Sequence, residues 1–173
     1  AHVASNVLNE GAIPNDLNVD NTTAFNNAFT KNFKTIIPKN EYHLTKFQGT
    51  SNQHVDGMGS TLKLTAGNSP VLVGFGSDSV YENITFESLE EDLEWSRTSL
   101  ENRKNVLLRN CTFKNFRNPS KHNSWGLYLK NSENIVIDSC KFSNNTQSDI
   151  AILEGSKNIT IINPIAEDGE NLV

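Results

Sequence analysis

Short stretches of alternating apolar and polar residues recur along this chain, and four of them align without gaps. They cover residues 78–86, 105–113, 134–142 and 158–166, so successive stretches begin 27, 29 and 24 residues apart. Because neighbouring strand residues point to opposite faces, each stretch predicts a β-strand with one apolar face. A repeat of this length predicts a solenoid, in which each coil packs against the next.

The aligned positions also predict which side chains face the interior. Three columns are mostly apolar and should point inward: Tyr81, Leu108, Ile137 and Ile161; Ile84, Cys111, Cys140 and Pro164; Phe86, Phe113, Phe142 and Ala166. Coils stacked ~4.8 Å apart would turn these columns into an aliphatic row, a row of thiols and a phenylalanine stack. We therefore predict an all-β fold, a single-stranded right-handed parallel β-helix.

A polar column lies between the strands and consists of Asn83, Asn110, Ser139 and Asn163. Asparagine tolerates the left-handed conformation of a tight bend, and its amide can bond the same group one coil away. Asn83-Ile-Thr and Asn110-Cys-Thr also match the N-glycosylation triplet. We expect this column to lie inside the solenoid, where a glycan would not fit, so we interpret the triplets as part of the repeat.

The cysteines and histidines give no sign of a metal or cofactor. The chain has two cysteines and four histidines, and the histidines are scattered without the spacing of metal ligands. Cys111 and Cys140 are expected to stack as reduced core thiols, with a disulfide as the alternative. We predict no metal site and no cofactor.

A second set of apolar segments lies eight residues before the first, at 70–74, 97–101, 126–130 and 150–154. Taken at that constant offset, the pattern predicts the following inward residues: Val71, Leu127, Ala151, Val73, Leu129 and Leu153. It predicts an outward apolar stripe of Leu72, Tyr128 and Ile152, and the next strand adds Val80, Leu107 and Val136. Either a partner subunit buries this stripe, or the insertions 87–104 and 114–124 fold over it.

The first 50 residues are expected to cap the solenoid. A helix over about 22–31 would place Phe25 and Phe29 over the open end of the core, with Asp20, Asn21 and Thr22 as N-cap candidates. Strand, proline turn and strand follow at 34–44, and the first full coil at 54–64. The coils would occupy 51–173 and continue beyond Val173 in a longer parent chain.

The opening of the chain resembles a known superfamily. The segments GAIPNDLNVDNTTAFNNAF, KTIIPKNEYHL and VDGMGSTLKL are similar to the start of the pectate-lyase-like superfamily, and most similar to bacteriophage tailspikes and tail-associated depolymerases. The resemblance implies a pectin-lyase-like β-helix, carbohydrate as the ligand and a homotrimeric spike. It does not imply one activity, because lyases, hydrolases and non-catalytic adhesins share this fold.

Composition argues against two further classes, nucleic-acid-binding proteins and membrane-spanning proteins. The chain of 173 residues fits one domain, and its net charge of −5 without a basic patch argues against nucleic acid as a partner. No apolar run approaches the ~20 residues that a membrane helix needs, so we expect no membrane span.

Few residues are candidates for catalysis. The polygalacturonase pattern and the aspartate cluster of calcium-dependent pectate lyases are missing from the sequence. Asp149 and Glu170 precede strands by the same offset, so one coil step could bring the two carboxyls to the ~5–5.5 Å of retaining glycosidases. The alternative interpretation is two solvated acids in turns.

Trp125 occupies the position equivalent to Asp149 one coil earlier. With Tyr128 it could stack on a sugar ring, or it could pack under the loop 114–124.

Two functions fit these features of the sequence. The first is a tailspike or tail-fibre module of a virion that binds a polysaccharide of the host surface. The alternative is an extracellular polysaccharide lyase or glycoside hydrolase. Both place the protein on a virion or outside the cell.

Overall fold

The computed structural model describes residues 3–67, 71–92, 97–169 and 171–173, without the side chain of residue 97. It contains a short 3-10 helix (Val7–Glu10) and one α-helix, α1 (Thr22–Lys31). The strands in chain order are β1 (Ser5–Asn6), β2 (Lys34–Ile36), β3 (Glu41–Leu44), β4 (Phe47–Gln48), β5 (His54–Leu64), β6 (Val71–Gly74), β7 (Ser79–Ser88), β8 (Arg97–Glu101), β9 (Lys104–Arg109), β10 (Thr112–Lys114), β11 (Trp125–Lys130), β12 (Glu133–Asp138), β13 (Lys141–Ser143), β14 (Ser148–Ile152), β15 (Lys157–Ile162) and β16 (Ile165–Glu167).

The strands pair in parallel and form a three-sided right-handed β-helix, so the predicted fold is confirmed. Face 1 is a five-stranded sheet in the order β4, β6, β8, β11 and β14. The second sheet has eleven strands and bends along its length into two faces. Face 2 contains β9, β12, β15 and the first halves of β5 and β7. Face 3 contains β10, β13, β16 and the second halves of β5 and β7.

The core follows the predicted columns of faces 2 and 3. Tyr81 pairs with Leu108, and Leu108 with Ile137, and all three side chains are fully buried. Phe86, Phe113 and Phe142 are in register and stack at centroid distances of 5.4 and 5.3 Å. Ile161 and Ala166, on the last coil, are only partly covered or exposed.

The two cysteines are free and buried, as predicted, and the disulfide alternative is wrong. The thiol of Cys111 contacts that of Cys140 on the next coil, and each also lies 3.5 Å from a backbone carbonyl oxygen. Burial raises the pKa of the Cys111 thiol well above its ordinary value. Because the thiolate is the reactive form, Cys111 should be inert in the folded protein.

The cap helix begins and ends where the pattern predicts. Phe25 and Phe29 on α1 are buried, and their rings meet Tyr42 and Phe47 edge-on at 5.4 and 5.3 Å. Asp20 accepts hydrogen bonds from the backbone N–H and the hydroxyl of Thr22 at 3.0 and 2.6 Å, which holds the start of the helix. In the described part of the chain, no helix has the length and apolar character required to cross a membrane.

Asparagines in the left-handed conformation form the bends between the faces. Nineteen described residues other than glycine have a positive φ, and twelve of them are asparagine, which explains why this residue is so abundant. The Asn110 amide donates to the Asn83 carbonyl oxygen at 2.7 Å, as the predicted ladder requires. Asn110 is exposed, however, so the predicted interior position of this column is wrong. The left-handed bend turns the side chain outward at a corner of the prism.

The register of face 1 differs from the constant offset expected. Leu127 pairs with Ile150 and Leu129 with Ile152, one residue away from the predicted partners. Leu72 is fully buried beside an irregularity between Val71 and Val73, so its predicted outward position is wrong. Ile152 belongs to the inward row of Leu129, and it is 40 % exposed because it lies on the last strand of the sheet. A one-residue slip moves every side chain of a strand to the other face.

Candidate functional site

Asp149 is a buried carboxyl, and the interpretation as a solvated turn acid is wrong for it. Its side chain is 1 % exposed in β14. One carboxylate oxygen accepts a hydrogen bond from the Asn145 amide at 3.0 Å, and the other has no hydrogen-bond partner among the described residues. Burial raises the pKa of Asp149, and the Asn145 bond offsets this only in part. Such a carboxyl retains its proton to a higher pH than a solvated one.

Asn145 connects Asp149 by hydrogen bonds to the loop that follows β10 and leads from face 3 to face 1. Its amide also donates to the Phe113 carbonyl at 3.1 Å, and its oxygen accepts from the backbone N–H of Phe116 at 3.0 Å. Opposite this pair lies Gly126, where a Cβ would come within 2.7 Å of the Asp149 carbonyl oxygen. Asp149 therefore has a defined structural environment. Its predicted catalytic partner, Glu170, lies outside the described residues.

Trp125 and Tyr128 lie together on β11 of face 1. Their ring centroids are 5.3 Å apart, and the two side chains are 8 and 9 % exposed. Trp125 pairs with Ser148, so the predicted equivalence with Asp149 is off by one residue. Tyr128 pairs with Ser99 on one side and with Ala151 on the other, both small residues. The strand begins one residue earlier than the apolar segment 126–130 predicts, so both rings lie on it, and little of either side chain reaches the surface.

A row of adjoining depressions lies at the corner between faces 1 and 2, which we call the first corner. Three left-handed residues form its bend: Asn102, Asn131 and Gly155. The Asn131 amide donates to Asn102 at 2.6 Å. Adjoining hollows of about 350 and 420 Å³ run along it, lined by Glu101, Asn102, Lys104, Lys130, Asn131, Glu133, Glu154, Gly155 and Lys157. A third hollow of about 280 Å³ continues from Asn102 along face 1.

The apolar columns of the sequence do not mark this corner, although the bend residues carry a signal for it. Residues 101–104, 130–133 and 154–157 read ENRK, KNSE and EGSK. Each segment has one charge before the left-handed residue and the opposite charge two residues after it. Comparison of bend residues between coils, instead of the apolar columns, would have revealed the pattern.

Face 2 carries the outward apolar row of Val80, Leu107 and Val136, as predicted. These residues are in register and partly exposed. Beside them runs a second ladder, in which Asn134 donates to Asn105 at 3.2 Å and Asn105 donates to Asp78 at 2.7 Å. The result is a shallow surface with an apolar floor and an amide edge.

The comparisons with known proteins agree with this architecture. Residues 18–171 match the family described as the right-handed β-helix region. The chain belongs to the right-handed β-helix family. A comparison with curated protein sequences gives no significant match. Within the described residues, no group of three or more histidine, cysteine, aspartate or glutamate side chains is arranged to hold a metal ion.

Solved structures share the β-helix at low sequence identity. PfbA, a surface adhesin of Streptococcus pneumoniae, superposes with a TM-score of 0.71 and 15% identity, covering 94% of this chain and 49% of its own. The iota-carrageenase of family GH82 from A. fortis has a TM-score of 0.54 and 18% identity, covering 98% of this chain and 39% of its own. This chain therefore spans about half the length of the PfbA structure. At this identity the likeness establishes the fold alone.

Proposed function

We propose that this β-helix is a recognition module that binds a cell-surface polysaccharide along its shaft. The observation that carries the proposal is the first corner, where hollows follow one another across successive coils. Its polar groups recur with the coil spacing of ~4.8 Å, and a linear polysaccharide also presents its hydroxyls at a regular repeat. A repeating surface can bind several units of a repeating polymer at once, which raises the avidity without strong single contacts.

The aromatic pair on face 1 supports the same function. Rings of tryptophan and tyrosine can pack against the apolar side of a sugar while their polar atoms bond its hydroxyls. Trp125 and Tyr128 lie on β11, which leads directly into the bend at Asn131. We propose that a polysaccharide in the first corner extends over the small exposed area of these two side chains.

The biological setting that we propose is a virion tail, with the module as part of a homotrimeric tailspike or tail fibre. The resemblance of the first 65 residues to tailspikes supports this setting, and PfbA is a surface adhesin with the same fold. The apolar row on face 2 would then lie between subunits. Leu107→Lys with Val136→Lys should dissociate the trimer in sedimentation while the circular dichroism stays unchanged. A wild type that sediments as a monomer would contradict the trimer.

Asparagine-to-glycine variants test binding at the first corner. Asn102→Gly with Asn131→Gly removes two amides and keeps the left-handed backbone, because glycine adopts positive φ freely. We expect this variant to lose binding on an array of bacterial surface polysaccharides. The matched control is Asn115→Gly with Asn144→Gly, which removes another amide ladder, with its bond of 3.0 Å, from the far end of face 3. Equal binding by both variants would contradict the proposed site.

An extracellular polysaccharide lyase or glycoside hydrolase is the second candidate. The observation that favours it is Asp149, whose burial raises its pKa, as in many catalytic acids. A sugar-release assay on the polysaccharides that bind should then detect new chain ends, and Asp149→Asn should abolish them. Binding without release would leave recognition as the function.

A further inference from the structure

Six charged side chains at the first corner alternate in sign in two directions. Along the shaft, Lys104, Glu133 and Lys157 occupy the same register position on β9, β12 and β15. The charges in this column are therefore positive, negative and positive. Across the bend, the second column holds Glu101, Lys130 and Glu154, which reads minus, plus, minus. In these two columns each coil therefore presents one charge of each sign, and the next coil presents them in the opposite order. The first coil also carries Arg103, whose guanidinium donates to the carbonyl oxygens of Phe75 and Asn102 at 2.7 and 3.4 Å.

These six charges are not used to hold the protein together. Within the described part of the chain, no ion pair of 4.0 Å or less involves any of them, although six lysine or arginine side chains pair with glutamates elsewhere, such as Lys141 with Glu167 at 3.0 Å. Three of the six are exposed and the other three are partly exposed. These side chains are therefore available to pair with a ligand in the corner.

We infer that the ligand of the first corner is a zwitterionic linear polysaccharide, in which sugars bearing a carboxylate alternate with sugars bearing a free amine. This inference rests on the proposed polysaccharide binding and names its substrate class. The coil step of ~4.8 Å is close to the length of one sugar unit in an extended chain. Successive sugars of opposite charge would thus meet successive coils of matching charge.

The alternation also excludes other polymers. In the two columns a polyanion would face as many glutamates as lysines, so attraction and repulsion oppose each other, and the same holds for a polycation. Arg103 adds one positive charge at the first coil, which is bonded to backbone carbonyls. A neutral polymer would gain hydrogen bonds but no charge pairing. The amides of Asn102 and Asn131, which lie between the two columns, add donors and acceptors for hydroxyl groups. Only a polymer that carries both signs uses the whole surface.

Matched polymers with the same β-1,4-linked backbone test the inference. The probes are carboxymethyl chitosan, which is zwitterionic, chitosan, carboxymethyl cellulose and the neutral hydroxyethyl cellulose. Isothermal titration at low salt should give the tightest binding for the zwitterionic polymer. This preference should weaken as the ionic strength rises towards 1 M, where screening shortens to ~3 Å.

A charge variant localises the effect. Lys104→Gln, Glu133→Gln and Lys157→Gln neutralise one column, and we expect about tenfold weaker binding of carboxymethyl chitosan, since each exposed pair contributes little alone. The control neutralises the same charges on face 3 by Lys114→Gln, Lys141→Gln and Glu167→Gln, and it should bind as the wild type does. Thermal melting of both variants verifies that they are folded.

The outcomes separate the inference from the function on which it rests. Tightest binding of the zwitterionic polymer, lost in the corner variant alone, supports the inference. Equal or tighter binding of the neutral, the anionic or the cationic polymer overturns the zwitterionic class and leaves polysaccharide recognition standing. Failure of the zwitterionic polymer to bind overturns the zwitterionic class, whereas failure on the array of bacterial polysaccharides overturns the recognition function. If the corner variant and its control lose the same binding affinity, the first corner is not the binding site.

Discussion

Phe86 and Phe113 lie one coil apart with their ring planes 11° from parallel and their centroids at 5.4 Å. Phe113 continues the stack to Phe142 on the other side, and Phe75 meets its ring edge-on at 6.4 Å. Offset stacking adds to the free energy of burying the rings. This stack joins three successive coils, so Phe113 is covered on both sides.

Truncation of Phe113 should strongly destabilise the solenoid. Phe113→Ala leaves a cavity between two coils, and we expect the free energy of unfolding to fall by ~3–5 kcal/mol, measured by chemical denaturation. Phe33→Ala is the control, because Phe33 is 67 % exposed and its truncation should have little effect. A loss below ~1 kcal/mol for Phe113 would contradict its role in the core.

The thiols of Cys111 and Cys140 should be reduced and protected. Both are buried, so a thiol reagent should find none accessible in the native protein and two after denaturation. The reaction should be equally slow with and without a reducing agent before the assay. Absence of free thiols in the denatured, unreduced protein would mean that a disulfide forms, which the structure does not contain.

Asp149 should make the protein less stable as the pH rises. Its folded pKa is raised above the ordinary value of 3.8 by burial, so the native state holds the proton more tightly than the unfolded state. The stability from this group is fully present below 3.8 and is lost as the pH rises through the raised value. In urea unfolding, the free energy of unfolding of Asp149→Asn should therefore rise relative to that of the wild type across this pH window. Above the window the difference should be constant. A difference that is independent of pH would contradict it.

Asp20 is the control, because its pKa is shifted in the opposite direction to that of Asp149. Burial would raise the pKa of Asp20, but hydrogen bonds from Thr22 and Thr45 outweigh that effect and lower it. Its contribution is present above the ordinary value of 3.8 and is lost as the pH falls through the lowered value. Against Asp20→Asn, the wild type should gain stability with rising pH in the acidic range, the reverse of the Asp149 comparison.

Gly126 should not accept a side chain. A Cβ there would lie 2.7 Å from the backbone oxygen of Asp149 and 2.8 Å from the Asn145 amide nitrogen. Gly126→Ala should lower the free energy of unfolding by ~1–3 kcal/mol, as overpacking does, because β11 and β14 must separate. Gly67→Ala is the control, since its Cβ would make only ordinary contacts, beginning at 3.5 Å. Equal melting temperatures for the two variants would contradict this account.

Local pattern alone determined the coil period, the cap helix and the inward columns of faces 2 and 3. Strand alternation and helical spacing are properties of neighbouring residues, so Phe113, Leu108 and Phe25 could be placed without knowledge of their partners. The left-handed bends were predictable for the same reason, because asparagine favours them in any context. Whether the Asn110 side chain points into the core or to the outside was not predictable, because this depends on the direction in which the chain bends between two faces.

Only the tertiary structure decided the register of face 1 and the character of its polar residues. Irregularities near Leu72 and between Trp125 and Tyr128 shift the pairing, and nothing in the alternation of apolar residues marks them. Asp149 is buried because Asn145 and the last coil surround it, not because of its own neighbours in the sequence. The first corner likewise combines residues 24 to 29 positions apart in the chain, such as Lys104, Glu133 and Lys157. A one-residue slip costs nothing within a single strand, and only the packing of one coil on the next selects among the possible registers.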